Sequence, residues 1–205
     1  MTRATAGIRN ILSSAAVYEL FQRVLGAHDV RSWFVNDFIR PRPGMRVLDI
    51  GCGPAEILAY LPEVDYQGFD ISPDYIERAR KHFGGRGQFH CRELSRLDVE
   101  QQAPFDIVLM IGVLHHLHDE AATGVLRLVS QALKPGGRLL TMDPCLEPGQ
   151  HPIARFLVRN DRGQYVRARS GYAGLSAAVF ESPRVEVRHK KGIPYTHCLM
   201  ECTRA

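Results

Sequence analysis

The sequence predicts a single α/β domain built on one mostly parallel sheet. Short apolar runs of strand length alternate with stretches of helical period from Met45 onward. A glycine-rich loop, Gly51-Cys52-Gly53-Pro54, joins the first such run to a helical stretch. The length, 205 residues, is comfortable for one domain and short for two.

The first forty residues read as helical. Val17, Leu20, Phe21, Val24 and Leu25 fall at i, i+3, i+4, i+7 and i+8, one apolar face. Trp33, Phe34, Phe38 and Ile39 continue it until Pro41, Pro43 and Gly44 break the pattern. Val47 to Ile50 is the first strand, followed by the glycine loop and a helix over Ala55 to Leu61. Tyr66 to Asp70 is the second strand. Ser72-Pro73-Asp74 then starts a helix, with serine as N-cap, proline at N1 and an acid in the first turn, and Gly84-Gly85 ends it. Gln88 to Cys91 and Phe105 to Met110 are the next strands. Asp119 is placed to cap a helix running to Leu133, and Lys134-Pro135-Gly136-Gly137 reads as a turn before a fifth strand, Arg138 to Asp143. From Pro144 to Gly171 turn residues dominate around one apolar patch, Ile153 to Val158. A helix over Tyr172 to Phe180 precedes two strands, Val185 to Lys191 and Thr196 to Thr203, whose short connection favours an antiparallel pair.

Composition excludes several classes. Hydrophobic residues at 45% and charged residues at 23% rule out a disordered chain. A net charge of +4 permits many partners, nucleic acid included, and points to none; no extended basic stretch appears, and no nucleic acid partner is expected. The longest strongly apolar run, Ile107 to Leu117, holds eleven residues, two of them histidines, against the roughly 20 needed for a membrane span. Glu19 interrupts the apolar stretch from Ile11, which argues against a secretory signal. Five cysteines without a CxxC pair favour a reducing cytoplasmic setting and no metal site.

The chemistry concentrates in the glycine loop and in Asp70, nineteen residues after Gly51. A glycine loop between strand and helix lets a ligand approach the backbone, and an acid ending the next strand is placed to accept two ribose hydroxyls. A dinucleotide fold wants G-x-G-x-x-G, but Glu56 occupies the third glycine's place and would repel a pyrophosphate. Asp49 stands where a dinucleotide-binding strand is normally apolar. It suits a cationic ligand such as S-adenosylmethionine (SAM), with its sulfonium and α-amino groups.

Leu48-Asp49-Ile50-Gly51-Cys52-Gly53-Pro54 resembles the first motif of the class I SAM-dependent methyltransferases, and Gly68-Phe69-Asp70-Ile71-Ser72 resembles their second. Phe105 to Val108 with Val113-Leu114-His115-His116-Leu117 resembles the fourth-strand motif, and Leu133 to Leu139 the turn before the fifth strand. The resemblance covers about residues 45 to 143 and is nearest the small-molecule branch that includes quinone methyltransferases. It implies a Rossmann-like seven-stranded sheet with helices on both faces and the last strand antiparallel. It also implies an N-terminal helical lid over 1–43, a core over 44–205 and a substrate cover over 144–171.

Residue by residue, the resemblance implies that Asp49, Gly51 and Gly53, with Cys52 between them, hold the methionine part of SAM. Asp70 takes the ribose hydroxyls and Ile71 packs on the adenine. Glu93, where the family commonly has an aspartate, approaches the adenine amino group beside Leu94, and Ile111 lies near the ligand. Tyr18 and Arg31, polar on a mainly apolar segment, are placed to reach the SAM carboxylate or the substrate. His115 and His116 are the candidate bases, His115 first, since a hydroxyl acceptor needs one near neutral pH. Cys145, at the end of the fifth strand, reads as packing rather than a nucleophile. Arg155, Arg159, Arg162, Arg167 and Arg169 form either a solvated face or a site for a substrate phosphate or carboxylate.

The implied reaction is methyl transfer to oxygen or carbon of a small molecule, anionic or lipid-like, in a cytoplasmic enzyme. Two alternatives stand beside it: an NAD-binding Rossmann oxidoreductase, and a non-catalytic SAM-binding scaffold.

Overall fold

The structure, a computed structural model, describes residues 32–102, 104–189 and 195–205. Its centre is a seven-stranded sheet in the order β3-β2-β1-β4-β5-β7-β6. The strands are β1 (Arg46–Ile50), β2 (Asp65–Asp70), β3 (Gln88–Cys91), β4 (Phe105–Ile111), β5 (Leu133–Pro144), β6 (Arg184–His189) and β7 (Thr196–Thr203). β1 runs parallel to both neighbours, with Val47 opposite Tyr66 on one side and Ile107 on the other. β7 is antiparallel to both β5 and β6, so the late hairpin inserts its second strand beside the parallel set. Val47, Leu48, Val108 and Leu109 are fully buried, as near-continuous apolar strands covered on both faces must be.

Helices cover both faces. α1 (Pro73–Phe83) begins as expected: the Ser72 hydroxyl accepts from the Tyr75 N–H at 3.4 Å, with proline in the first turn. α2 (Arg96–Gln102) has no apolar period in the sequence. Asp98 organises it, accepting from the Ser95 N–H at 2.9 Å and pairing with Arg92. α3 (Asp119–Ala132) buries Ala122, Leu126, Val129 and Ala132 against the sheet. Its cap is His118, whose Nδ1 accepts from Ala121 at 3.4 Å, rather than Asp119. α4 (Pro152–Arg159) and α5 (Arg169–Ala177) follow β5, and α5 starts three residues before the expected Tyr172.

Two stretches differ from their expected form. The helix expected over Ala55 to Leu61 is only a 3₁₀ turn, Glu56–Ala59, because Ala55 enters it at φ 56°, a left-handed conformation no right-handed helix continues. Lys134 to Gly137 lies within a longer β5 whose pairing with β4 shifts register between Phe105 and Ile107.

The expected N-terminal lid lies mostly outside the described residues. Of it, Phe34–Ile39 forms a π turn burying Phe34, Val35, Phe38 and Ile39. Arg138 of β5 holds its last carbonyl, donating to Ile39 at 2.6 Å, and also pairs with Glu201 at 2.9 Å. This turn packs with Ile76 and Ala79 of α1 on one face, while Leu126, Tyr172 and Leu175 fill the other.

Leu126 has no exposed surface in the layer between α3 and the sheet. Leu126→Ala is expected to lower the unfolding free energy by about 2–5 kcal/mol, read as a drop in urea midpoint at unchanged slope.

Candidate functional site at the carboxyl edge of the sheet

Strand order reverses between β1 and β4, where connections of an open α/β sheet leave in opposite directions and a crevice at the carboxyl ends is expected. The glycine loop forms its floor. The N–H groups of Gly51 and Cys52 both donate to the Phe69 carbonyl, at 2.8 and 3.1 Å, pinning the loop to the end of β2. Gly51 has φ 68°, and a Cβ there would lie 2.6 Å from Val113 Cγ2, so only glycine fits.

Two carboxyl groups flank the loop. Asp49 is buried at 2% exposure; its Oδ2 accepts from the Tyr66 hydroxyl at 2.6 Å, while its Oδ1 is buried without a partner. Burial raises its pKa to about 7, against the opposing Tyr66 hydrogen bond and with help from the nearby Asp70 charge. Asp70 ends β2 half-buried, its oxygens accepting from the N–H groups of Gly53 and Ser72 at 2.8 Å each. A carboxylate offers about four lone-pair sites, so both oxygens keep accepting capacity.

An apolar platform lies just beyond. Ile71 is 70% exposed at the end of β2. Leu94 is half-buried against the core, Ile111 is half-buried at the end of β4, and Glu93 is exposed. Cys52 is half-buried in the loop, and burial pushes its thiol far above the ordinary range. Tyr18 and Arg31 lie outside the described residues.

The short turn after β4, Leu114–His116, carries the two histidines with different fates. His115 is buried, and both ring nitrogens face carboxylates: Nδ1 lies 2.8 Å from Asp143 of β5 and Nε2 lies 3.1 Å from Asp161. Burial alone would discharge the ring, but the hydrogen bonds to Asp143 and Asp161 outweigh it and raise its pKa to about 9. Near neutral pH it is a cation donating through both nitrogens. In that clamp both ring nitrogens of His115, the first candidate base, are engaged by carboxylates.

His116 is exposed, its ring centroid 4.0 Å from that of His115. Partial burial, then the neighbouring imidazolium, lower its pKa, so it is neutral near pH 7. It retains a basic nitrogen at the mouth of the crevice.

Residues 160–167, after α4, lie across this turn. Asp161 also accepts from the Tyr195 hydroxyl at 2.6 Å, and the Tyr165 N–H donates to the His115 carbonyl at 2.9 Å. Gly163 abuts the ring so closely that a Cβ would come within 2.0 Å of it. Arg167 donates to the carbonyls of Leu114 and Leu117 at 2.8 and 2.6 Å and pairs with Asp119, so it staples the turn rather than forming a solvated face. Cys145 is fully buried; a hydrogen bond to Cys198 and burial push its thiol far upward, which leaves no thiolate.

Sequence reasoning did not single out Tyr66, Asp143 or Asp161. Asp143 ends a strand whose carboxyl end faces the crevice, which was a usable signal. Asp161 sits in an irregular stretch and carried none.

Residues 48–139 match a family model described as a methyltransferase domain. A ubiquinone biosynthesis O-methyltransferase of Xylella fastidiosa (strain 9a5c) is 35% identical over 104 residues, 48% of this chain and 42% of the relative. The chain spans under half the length of such curated relatives. Among solved structures, the SAM-dependent methyltransferase SibL in its apo form aligns at TM-score 0.66 and 21% identity, over 95% of this chain and 61% of SibL. Magnesium protoporphyrin IX methyltransferase (ChlM) from Synechocystis PCC 6803 with bound SAH aligns at TM-score 0.62 and 16% identity, over 98% of this chain and all (100%) of ChlM. At these identities the structural likeness concerns the fold.

The clamp makes stability depend on pH with a definite sign. His115 titrates higher folded than unfolded, so its contribution is complete below about 6.5 and disappears as pH rises through about 9. Burial raises the Asp161 carboxyl, but its hydrogen bonds to His115 and Tyr195 win and hold it near 2, so its contribution fails only as pH falls from 3.8 through about 2. The His115 share of the unfolding free energy is expected to drop by about 2–3 kcal/mol between pH 7 and pH 10, read as the difference in slope between urea melts of the unmodified protein and of His115→Gln.

Proposed function

We propose that this chain is a class I SAM-dependent methyltransferase that transfers a methyl group from SAM to an oxygen or carbon nucleophile of a small molecule. The observation that supports this most is the buried Asp49 carboxyl, with one oxygen unpartnered, beside a glycine loop and in line with Asp70. Those residues fit SAM. The orphaned carboxyl oxygen suits a cationic end, Asp70 suits a pair of hydroxyls, and exposed Ile71 suits one face of a flat ring. Glu56 in place of a third glycine disfavours a dinucleotide.

SAM supplies a methyl group on a sulfonium, a leaving group that needs no acid from the protein. The protein's share is alignment, exclusion of water and handling of the acceptor's proton. In our reading residues 144–171 cover the acceptor side. His116, rather than the clamped His115, accepts the proton of a hydroxyl acceptor at its free ring nitrogen. Arg162 contributes to the field at His116, which favours an acceptor bearing an anionic group, and the exposed Ile153 and Phe156 of α4 favour an apolar, lipid-like body. The quinone-pathway names of the relatives support the same class. Cytoplasmic action fits the five free cysteines.

Asp70→Ala is expected to weaken SAM binding about 10- to 150-fold by calorimetry, since hydrogen bonds to a charged group contribute about 1.5–3 kcal/mol. Unchanged affinity in the folded variant removes Asp70 from the site. Incubation with labelled SAM and a metabolite extract identifies the acceptor; binding without turnover on any fraction would favour a non-catalytic SAM-binding protein. With a hydroxyl acceptor, His116→Ala is expected to lower kcat by about 10²–10⁴ at nearly constant SAM affinity. On the acid side, the unmodified rate should fall below the ordinary imidazole range, because His116 titrates low.

A further inference from the structure

We propose that Asp161 is a positioning residue that acts through His115: from the segment after α4 it clasps the ring on which His116 rests. It thereby holds residues 160–167 over the end of β4. The inference deepens the methyl-transfer reading and relies on it for the identity of the reacting site.

Several contacts converge on one turn. Asp143 takes Nδ1 of His115 at 2.8 Å and Asp161 takes Nε2 at 3.1 Å, so the ring bridges the end of β5 to the covering segment. The Tyr195 hydroxyl donates to the second Asp161 oxygen at 2.6 Å, which fixes that carboxylate from the start of β7. Gly163 leaves no room between the segment and the ring, and the Tyr165 N–H closes onto the His115 carbonyl at 2.9 Å. Arg167 then holds the carbonyls on either side of the histidine pair.

The clasp depends on charge. Two carboxylates face each other across one ring, and only an imidazolium offers an N–H to both. The groups facing it are Asp143 from β5, Asp161 from the covering segment and His116 from its own turn. Tyr172 of α5 lies beside Asp143, Tyr195 lies behind Asp161, and Arg162 lies near His116. When His115 loses a proton, one carboxylate loses its donor and the two acids repel. The covering segment is then released from the ring, and the support behind His116 goes with it.

The test needs no acceptor. Side-chain ¹⁵N NMR of the unmodified protein should show His115 doubly protonated at pH 8 and titrating near 9. Asp161→Asn removes the charge; its amide oxygen can still accept from His115, while its NH2 replaces the oxygen facing Tyr195, whose hydroxyl can turn to accept. The substitution should move that titration about one to three pH units lower, the range for loss of an adjacent opposite charge. Hydrogen-exchange protection factors of residues 160–167 should fall across the same titration in each protein, at the lower pH in the variant. A purely structural Asp161 would lower melting temperature in the variant yet leave the pH of that loss where it was. A neutral His115 at pH 8, or protection independent of its titration, overturns the proposal. Once an acceptor is known, the alkaline limb of kcat should shift with the NMR value in Asp161→Asn while SAM affinity stays constant. If no transfer is found for any acceptor, the methyl-transfer reading fails while the NMR result on the clasp stands.

Discussion

The reversal of strand order at β1 is the constraint on which the rest of the site depends. β1 lies between β2 and β4 and runs parallel to both, so its crossovers leave in opposite directions and cannot cover its carboxyl end. Whatever follows β1 must turn sharply in the space left, which the left-handed backbone at Gly51, Gly53 and Ala55 accomplishes. Asp49, Asp70 and the histidine turn come together because three parallel strands end at one edge, although they are far apart in sequence. The register fixes this: Asp49 is level with Gly68 and Leu109, which sets Asp70 and Ile111 two residues further along their own strands.

Two kinds of buried charge share that edge and are handled differently. Asp49 has one hydroxyl donor and no cation, so burial dominates and the carboxyl is easily kept neutral. That arrangement is poor for the protein alone and good for receiving a cation. Asp143 and Asp161 instead share a cation supplied by the chain, and Asp161 stays ionised to low pH. The contrast separates a group left under-satisfied for a ligand from groups satisfied internally.

Much of this was legible in the sequence where the determinants are local. The glycine loop, the Ser72-Pro73 helix start and the apolar strands follow from a few adjacent residues each, and the structure has them there. The 3₁₀ turn after the loop was not legible, because it depends on Ala55 adopting a left-handed backbone that its side chain does not advertise. α2 escaped for a similar reason: its start is a polar network around Asp98 rather than an apolar period. His115 is the instructive case. Its place after β4 marked it as close to the chemistry, but its protonation depends on Asp161, 46 residues away, in a stretch with no periodicity.

The same distinction divides the site by physical origin. The half suited to SAM is built from short-range elements, a loop and two strand ends, whose geometry the sheet imposes. The half proposed for the acceptor is built from contacts that span tens of residues: Asp161 to His115, Arg167 to Leu114 and Leu117, Tyr195 to Asp161. Such a half is held by a few strong polar links over a surface segment rather than by a continuous apolar core. It can therefore be altered by substitutions that leave the sheet intact. On the methyl-transfer reading proposed above, residues 160–167 and the turn they hold frame the acceptor beside His116, so acceptor choice should rest in that segment more than in the glycine loop and strand ends.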